Sequence, residues 1–481
     1  MQRIIKWSLI LALLSCNQPA DQSKKMNPEP VDFAVIEQAL EAELKTTRTP
    51  GAVLALVQDG RVIYEKGFGV ANVETGQPVT SDLLFRTGSV GKMLTSAVAV
   101  RMAAEGRLSL DEPIGRYVTL APGLSRLTLR QLLSHSAGLI SGIAVCCPQE
   151  ESALKTEIQT WTDKDFFFTE PGKIFSYSNY GFMIAGLVLQ EVAGKPYADL
   201  MHDYLFTPLG MERSFFRPTE VMTYPHSQGH EIAGDTIKIR RPFYNGTVDW
   251  PAGFAYTTAA DLARFAIALM NEGRLEQKQV WDTAVAPTML RPVIKLSSNY
   301  GNLEGRTAAG IAESQPAYGF GLMHQTFHGT PLLVHGGDIP GFGSLVAMAP
   351  GQRMAVIVMA NRSGALLKNT AARALEILLK IKPSPEASPA SFVLSQQEMQ
   401  ELAGTYVNGT MQFVIRYANG KLFFKESPAV EKELHKVGDN HFLYDHPDEG
   451  PTDLFILRDE EGRPAYVSRL LETARRVYDR K

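Results

Sequence analysis

Strand-forming runs stand at the two ends of one long stretch of this chain, and the sequence between them is helix-forming. Near its start, "AVLALVQDGRVIYEKGFGVAN" (52–72) reads as two strands joined at Asp59-Gly60, a pair that supplies the positive φ angles of a two-residue hairpin turn. Near its end, 332–335, 344–349 and 354–360 read as strands, with Pro350-Gly351 as the last turn, and "LLKNTAARALEILLKI" follows as a helix. Between them, "LTLRQLLSHSAGL" (127–139), "FSYSNYGFMIAGLVLQEVAGKPYADLMHDYLFTPLG" (175–210) and "TTAADLARFAIALMNEGR" (257–274) carry helical periodicity with glycine and proline stops; Thr258 or Asp261 would cap the last. Strands so far apart in sequence bury their apolar faces by pairing. The expectation is an α+β fold, an α/β/α sandwich whose antiparallel sheet is flanked by helices, with a helical subdomain, closed by bringing the two ends together.

The polar, proline-bearing "KIKPSPEASPAS" marks a linker (383–392) after a domain at 32–382. Beyond it, at 393–481, short apolar runs alternate with Asn-Gly, Glu-Gly and Asp-rich turns, the pattern of a small antiparallel β domain.

The first residues, "MQRIIKWSLILALLSC", place Arg3 and Lys6 before an apolar run from Trp7 to Leu14, the layout of a signal peptide (1–15). "LLSC" resembles the bacterial lipobox, in which the cysteine, here Cys16, carries the lipid; a plain secretory signal is the alternative. A polar tether (16–31) follows, so the expectation is an exported protein held to a bacterial membrane by an N-terminal lipid anchor. Only Cys146 and Cys147 then remain. Adjacent Cα atoms are about 3.8 Å apart, closer than most disulfides allow, so both are expected as free thiols.

A net charge of −3 and no long like-charge run give nucleic acid no basic face, leaving a small-molecule or peptide substrate, cell-wall peptide included, as the partner. No His-Glu-x-x-His and no phosphate-binding glycine loop call for a metal or organic cofactor.

Three short elements carry candidate chemistry. In "FRTGSVGKMLTSAVAVRMAAEG", Met93, Leu94, Ala97, Val98 and Met102 mark an amphipathic helix that Gly106 stops, with Ser89 in its first turn and Lys92 on the same face. A serine is a poor nucleophile until a neighbour takes its proton, and a desolvated lysine can do so. Spacing alone does not single this pair out, since Ser152 and Lys155 in "SALK" share it. Tyr177-Ser178-Asn179 precedes a helix; tyrosine can shuttle a proton and asparagine can bind an amide or ester, though "YVN" at Tyr406 and "YAN" at Tyr417 look the same. His335-Gly336-Gly337 ends a strand, where glycines admit a substrate backbone and leave N–H groups for an oxyanion; a bare turn would read alike.

Taken in order with their surroundings, "FRTGSVGK", "LTLRQLLSHSAGL", "PGKIFSYSNYGFMIAGLVLQEVAG", "PAGFAYTTAADLARF" and "HGGDIPGFGSLVAMAP" resemble successive blocks of the class C β-lactamase-related serine hydrolases, which include penicillin-binding peptidases and family VIII esterases. The likeness covers about residues 32 to 382 and implies a β-lactamase/transpeptidase-like fold. It implies Ser89 as acylated nucleophile, Lys92 as its proton acceptor, Tyr177 as proton relay and Asn179 as a substrate contact. His335, Gly336 and Gly337 stand where the family has a Lys-Thr-Gly strand, and the oxyanion hole would be the N–H groups of Ser89 and Asp338. The C-terminal domain resembles the lipocalin-like appendage of some such hydrolases. With His335 and Gly336 in place of a lysine and a threonine, a substrate carboxylate is attracted less strongly. The reading is therefore acyl transfer to Ser89 and hydrolysis of a D-amino-acid peptide or small ester, ahead of a β-lactamase proper. A non-catalytic protein that binds peptidoglycan or another acyl ligand is the rival.

Overall fold

Alternate residues of β1 (Gly51–Gln58) belong to two different cores. Ala52, Leu54 and Leu56 pack on one side of the sheet, and Val53, Ala55 and Val57 on the other. A strand buried on both faces has no polar alternation to show, which is why its sequence is one apolar run. β1 turns at Asp59 (φ 51°) and Gly60 (φ 72°) into β2 (Arg61–Asn72), the hairpin that Asp-Gly implies.

The structure is a computed structural model describing residues 31–142, 148–297, 303, 316–382, 391–447 and 450–478. The segment 1–30 with Cys16, the pair Cys146 and Cys147, and positions 383–390 of the expected linker lie outside the described residues.

The described residues form two nine-stranded antiparallel sheets. The first adds to β1 and β2 the strands β3 (Gln77–Pro78), β4 (Ile294–Lys295), β5 (Ala317–Tyr318), β6 (Met323–Phe327), β7 (Thr330–Ile339), β8 (Phe342–Ala349) and β9 (Met354–Ala360), in the order β4-β5-β6-β7-β8-β9-β1-β2-β3. β9 pairs with β1 from Ala52↔Ala360 to Val57↔Ala355, so the two ends of the domain do meet. α1 (Phe33–Thr46) and α6 (Lys368–Leu379) cover one face through Ile36, Leu40, Ala371 and Leu375. Buried Glu43 ties them by accepting the amide of Thr370 at 2.7 Å and its hydroxyl at 2.6 Å.

The other face carries α2 (Gly91–Ala104), α3 (Leu129–Leu133), α4 (Asn179–Ala193) and α5 (Ala259–Met270). Thr258, of the two candidates, caps α5, accepting from the amide of Asp261 at 3.2 Å. α2 differs from the amphipathic helix expected: 11 of its 14 residues are buried. Such a helix is enclosed on all sides, and its one lysine goes into the interior with it.

The second sheet, between 404 and 477, includes β10 (Gly404–Asn408), β11 (Pro464–Arg469) and β12 (Glu472–Val477), with β12 between the other two. It curls into a barrel-like domain, 430–433 packing against 441–446, around its own core of Tyr406, Phe413, Phe424, Phe442 and Tyr444. Buried Asn408 docks it on the first domain: its Nδ2 donates to Ser176 Oγ at 3.1 Å and to Thr473 O at 2.6 Å, and its Oδ1 accepts from Ser141 N at 3.0 Å. Thr473 Oγ1 donates to Phe175 O at 2.9 Å, and the hydroxyls of Thr169 and Tyr466 meet at 2.7 Å.

Candidate active site

Ser89 sits in a 3₁₀ turn, Gly88–Val90, that runs into α2, one step before the helix in which the sequence reading put it. Gly88 has φ 50°, and a Cβ there would lie 2.7 Å from the amide nitrogen of Asp338. A Cβ on Gly337 would lie 2.1 Å from Thr87 O and 3.0 Å from Ser89 N. Only glycine lets two backbones approach this closely. The result is that the Gly88–Ser89 backbone lies against the Gly337–Asp338 backbone, which brings into one place the two amides expected to hold an oxyanion. β7 continues through Gly336 and Gly337 to Ile339, so the His-Gly-Gly run lies inside a strand and not at its end. Ser344 Oγ, on β8, donates to Thr87 O at 2.5 Å and fixes the turn against the sheet.

Lys92 is fully buried, and its Nζ lies 3.1 Å from Ser89 Oγ, 2.7 Å from Asn179 Oδ1 and 2.5 Å from Ala252 O. Burial pushes the ammonium well below its usual range of titration, with Asp249 opposing. The carbonyl of Ala252 can only accept. So can Asn179 Oδ1, because the Nδ2 of the same amide donates to Gly142 O at 3.0 Å. A neutral amine has two protons for these two acceptors, which leaves its lone pair facing the hydroxyl of Ser89. That is the geometry of a general base.

The ring centroid of Tyr177 lies 4.9 Å from Lys92 Nζ. The loop that carries it is clamped by His135, from the "SHSAG" turn. Ser176 N donates to His135 O at 2.9 Å, Ser178 N donates to His135 Nδ1 at 3.0 Å, and the imidazole and phenol centroids are 4.1 Å apart. Because Nδ1 accepts, the ring is neutral with its proton on Nε2, and burial beside Lys92 holds its pKa well below the usual value. His135 is a positioning residue to which the sequence reading gave no role; the available signal was a histidine between two serines just past the end of α3, where the backbone turns through a positive φ of 56°. The other was Ala252, whose contribution is a carbonyl that every residue type has. Gly253 beside it (φ 140°) is legible only in retrospect, as a Cβ there would lie 2.2 Å from Gly88 O.

Both polar side chains expected to touch substrate have partners inside the protein. Asn179, read as a substrate contact, here holds Lys92 and Gly142 O with its amide. His335, read as substrate-binding, turns its side chain inward: it is 1% exposed. Its Nε2 accepts from Tyr318 OH at 2.8 Å and its Nδ1 donates to Gly336 O at 2.7 Å. Burial pushes its pKa down to about 3, so the imidazole is neutral and both nitrogens are engaged. What this stretch offers a substrate is backbone.

The look-alike motifs scatter. Lys155 pairs with Glu191 at 2.6 Å on the surface, and Tyr406 lies in the β-domain core with its hydroxyl on Leu402 O. Among the described residues, no group of three or more His, Cys, Asp or Glu could hold a metal ion, and no helix is long and apolar enough to cross a membrane.

Residues 36–379 match the family model described as Beta-lactamase. Penicillin-binding protein 4 of Amycolatopsis lactamdurans is 26% identical over 348 residues, covering 69% of this chain and 86% of that protein. Protein flp of Staphylococcus aureus (strain MW2) is 24% identical over 337 residues, 68% of this chain but only 62% of flp, so this chain spans less than two thirds of that relative. The crystal structure of SurE superposes with a TM-score of 0.75 at 25% identity, covering 92% of this chain and 98% of SurE, a share too large to be the 36–379 part alone. The chain belongs to the beta-lactamase family and is a serine hydrolase of that family.

Proposed function

We propose that Ser89 forms an acyl-enzyme with an ester or amide, such as a small ester or a D-amino-acid peptide, which water then hydrolyses. Neutral Lys92 takes the proton of Ser89 Oγ as the oxygen attacks the acyl carbon. The carbonyl oxygen, gaining negative charge, is held by the amides of Ser89 and Asp338. When the carbon–oxygen or carbon–nitrogen bond breaks, the departing atom takes the electron pair and, through the hydroxyl of Tyr177, the proton held by Lys92. Water repeats the steps in reverse: it loses a proton to Lys92, attacks the acyl carbon, and Ser89 leaves as the hydroxyl.

The observation that carries this reading is the coordination of Lys92, two pure acceptors and one serine hydroxyl. The test is labelling by a fluorophosphonate or fluorescent penicillin, followed by turnover of D-Ala-D-Ala peptides, p-nitrophenyl esters and nitrocefin, with Ser89→Ala as control. Label and turnover that vanish in Ser89→Ala are expected. A folded wild type that takes no Ser89-dependent label would move the protein to the non-catalytic acyl-ligand reading. Nitrocefin is expected to rank last, because neutral, buried His335 gives a lactam carboxylate no charge to bind.

The reading includes export and a lipid anchor on Cys16, supported by the charged, apolar and small-residue order of 1–16. Metabolic labelling with palmitate that is lost in Cys16→Ser tests it.

A further inference from the structure

A tight turn of the C-terminal domain reaches the catalytic tyrosine. β11 and β12 are joined by two residues, Leu470 and Leu471, across the pair Arg469↔Glu472. Two-residue turns favour asparagine and glycine because they require positive φ, and this domain uses Asn419 (φ 50°) and Gly420 (φ 74°) at another of its hairpins. Leu470 nevertheless holds φ 49°, a costly conformation for a branched side chain. Two leucines at this tip therefore answer to something outside the hairpin. Leu471 O accepts the amide of Tyr177 at 3.0 Å, and the Leu471 side chain, like that of Tyr177, packs against the buried cluster of Phe175, Leu296, Tyr318 and Met323. The tip is held there by the buried bonds of Asn408 and Thr473 to Ser176 and Phe175.

The chemistry says which part of a substrate meets this wall. Tyr177 hands its proton to the departing oxygen or nitrogen, so the substituent on that atom lies on the Tyr177 side of the breaking bond. On this side Tyr318 and His335 are buried and bound to each other, and Arg469, which flanks the turn, is paired with Glu426 at 3.1 Å inside the β domain.

We propose that the Leu470–Leu471 turn of the C-terminal domain is a wall of the leaving-group subsite, and that this subsite takes an uncharged, apolar alcohol or amine. The inference rests on acyl transfer at Ser89 and makes the appended domain part of the active site. In the step concerned, the Ser89 Oγ–acyl bond forms and the acyl–oxygen bond breaks, the alcohol leaving with the proton that Ser89 lost.

The test is a series of acetates, methyl to hexyl, hydrolysed by the full chain. All members give one acetyl-enzyme and release alcohols of similar acidity, so differences in kcat/KM report only how the leaving group is held. The wild type should favour hexyl over methyl acetate by about tenfold or more. It should turn over the equally long acetate ester of 6-hydroxyhexanoate about tenfold more slowly than hexyl acetate. Leu471→Ser should compress the methyl-to-hexyl ratio to within about threefold, and Leu471→Met should keep it. A ratio near one in the wild type, needing no variant at all, overturns the proposal, as does a Leu471→Ser that slows every member equally. If Ser89 is labelled by a fluorophosphonate but the series is flat or undetectable, this inference alone fails; if Ser89 takes no label, the parent reading falls and this one with it.

Discussion

The side-chain oxygen of Asn179 lies 2.7 Å from the Nζ of Lys92, although 87 residues separate them in the chain. With Ala252 O it would occupy both protons of Lys92 in its neutral form, leaving the lone pair for Ser89. Lys92→Ala should therefore lower the acylation rate by about 10³-fold or more, and Asn179→Ala by roughly 10–100-fold, in the burst of p-nitrophenol from an activated ester. Lys155→Ala, at the same spacing from a serine but ion-paired on the surface, should leave it within about twofold.

The same pair sets the pH dependence. Below its pKa Lys92 is an ammonium and cannot accept the proton of Ser89, so kcat/KM falls on the acid side. Burial moves that pKa well below the usual lysine value, and the acid limb moves down with it. Asn179→Asp puts a carboxylate against the ammonium and favours the charged form. The acid limb should shift upward by about 1–3 pH units, read from kcat/KM profiles of the two proteins.

His135 acts through Tyr177. Replacing it by alanine leaves the amide of Ser178 buried without its acceptor, which costs about 1–3 kcal/mol of stability in urea melts. It also frees the phenol ring. kcat should fall by about tenfold or more while the acid limb set by Lys92 stays within about half a pH unit, an outcome that separates positioning from proton transfer.

His335 gives the fold an acid-sensitive element. Its pKa is about 3 when folded and near 6.5 when free, so between these values the unfolded chain binds the extra proton. The stability it contributes is complete above pH 6.5 and is lost as pH falls toward 3, at up to about 1.4 kcal/mol per unit. From pH 6.5 to 5 the loss should be about 1.5 kcal/mol, and His335→Gln should remove that part of the slope. A remaining slope of the same sign is expected from His135 and His324, which are also held below their usual pKa by burial.

Asn408 is a buried polar link between the two domains, and two of its three hydrogen bonds, with Ser141 N and Ser176 Oγ, cross between them. Asn408→Ala leaves Ser141 N, Thr473 O and Ser176 Oγ without this partner. The expected cost is about 1–3 kcal/mol, with the β domain melting as a separate, earlier transition in calorimetry.

Much of the main domain was legible because its periodicities are strong. The Asp59-Gly60 hairpin, the strands at 344–349 and 354–360, and a cap at one of two candidates, which proves to be Thr258, all depend on local rules. α2 was misjudged because a helix buried on every side and one buried on a single face share the same spacing of apolar residues. The Gly-Gly run at Gly336 was read as a strand end because local pattern cannot see that a second backbone, at Thr87 to Ser89, needs that space.

By itself the sequence indicated strands at both ends of the main domain with helices between, a strand-rich C-terminal region, and the residue types able to do acyl chemistry: Ser89, Lys92 and Tyr177. Residue type and short-range spacing are enough for those. It could not rank "GSVGK" above "SALK" by spacing, nor say that "YVN" at Tyr406 would supply Asn408 to a domain interface. Only the tertiary structure decided that Lys92 is dry and doubly held, that His335 faces inward, and that Leu471 stands against Tyr177. Each of these depends on a contact between segments far apart in the chain, and desolvation, which sets the chemistry of all three places, exists only once the chain has closed around them.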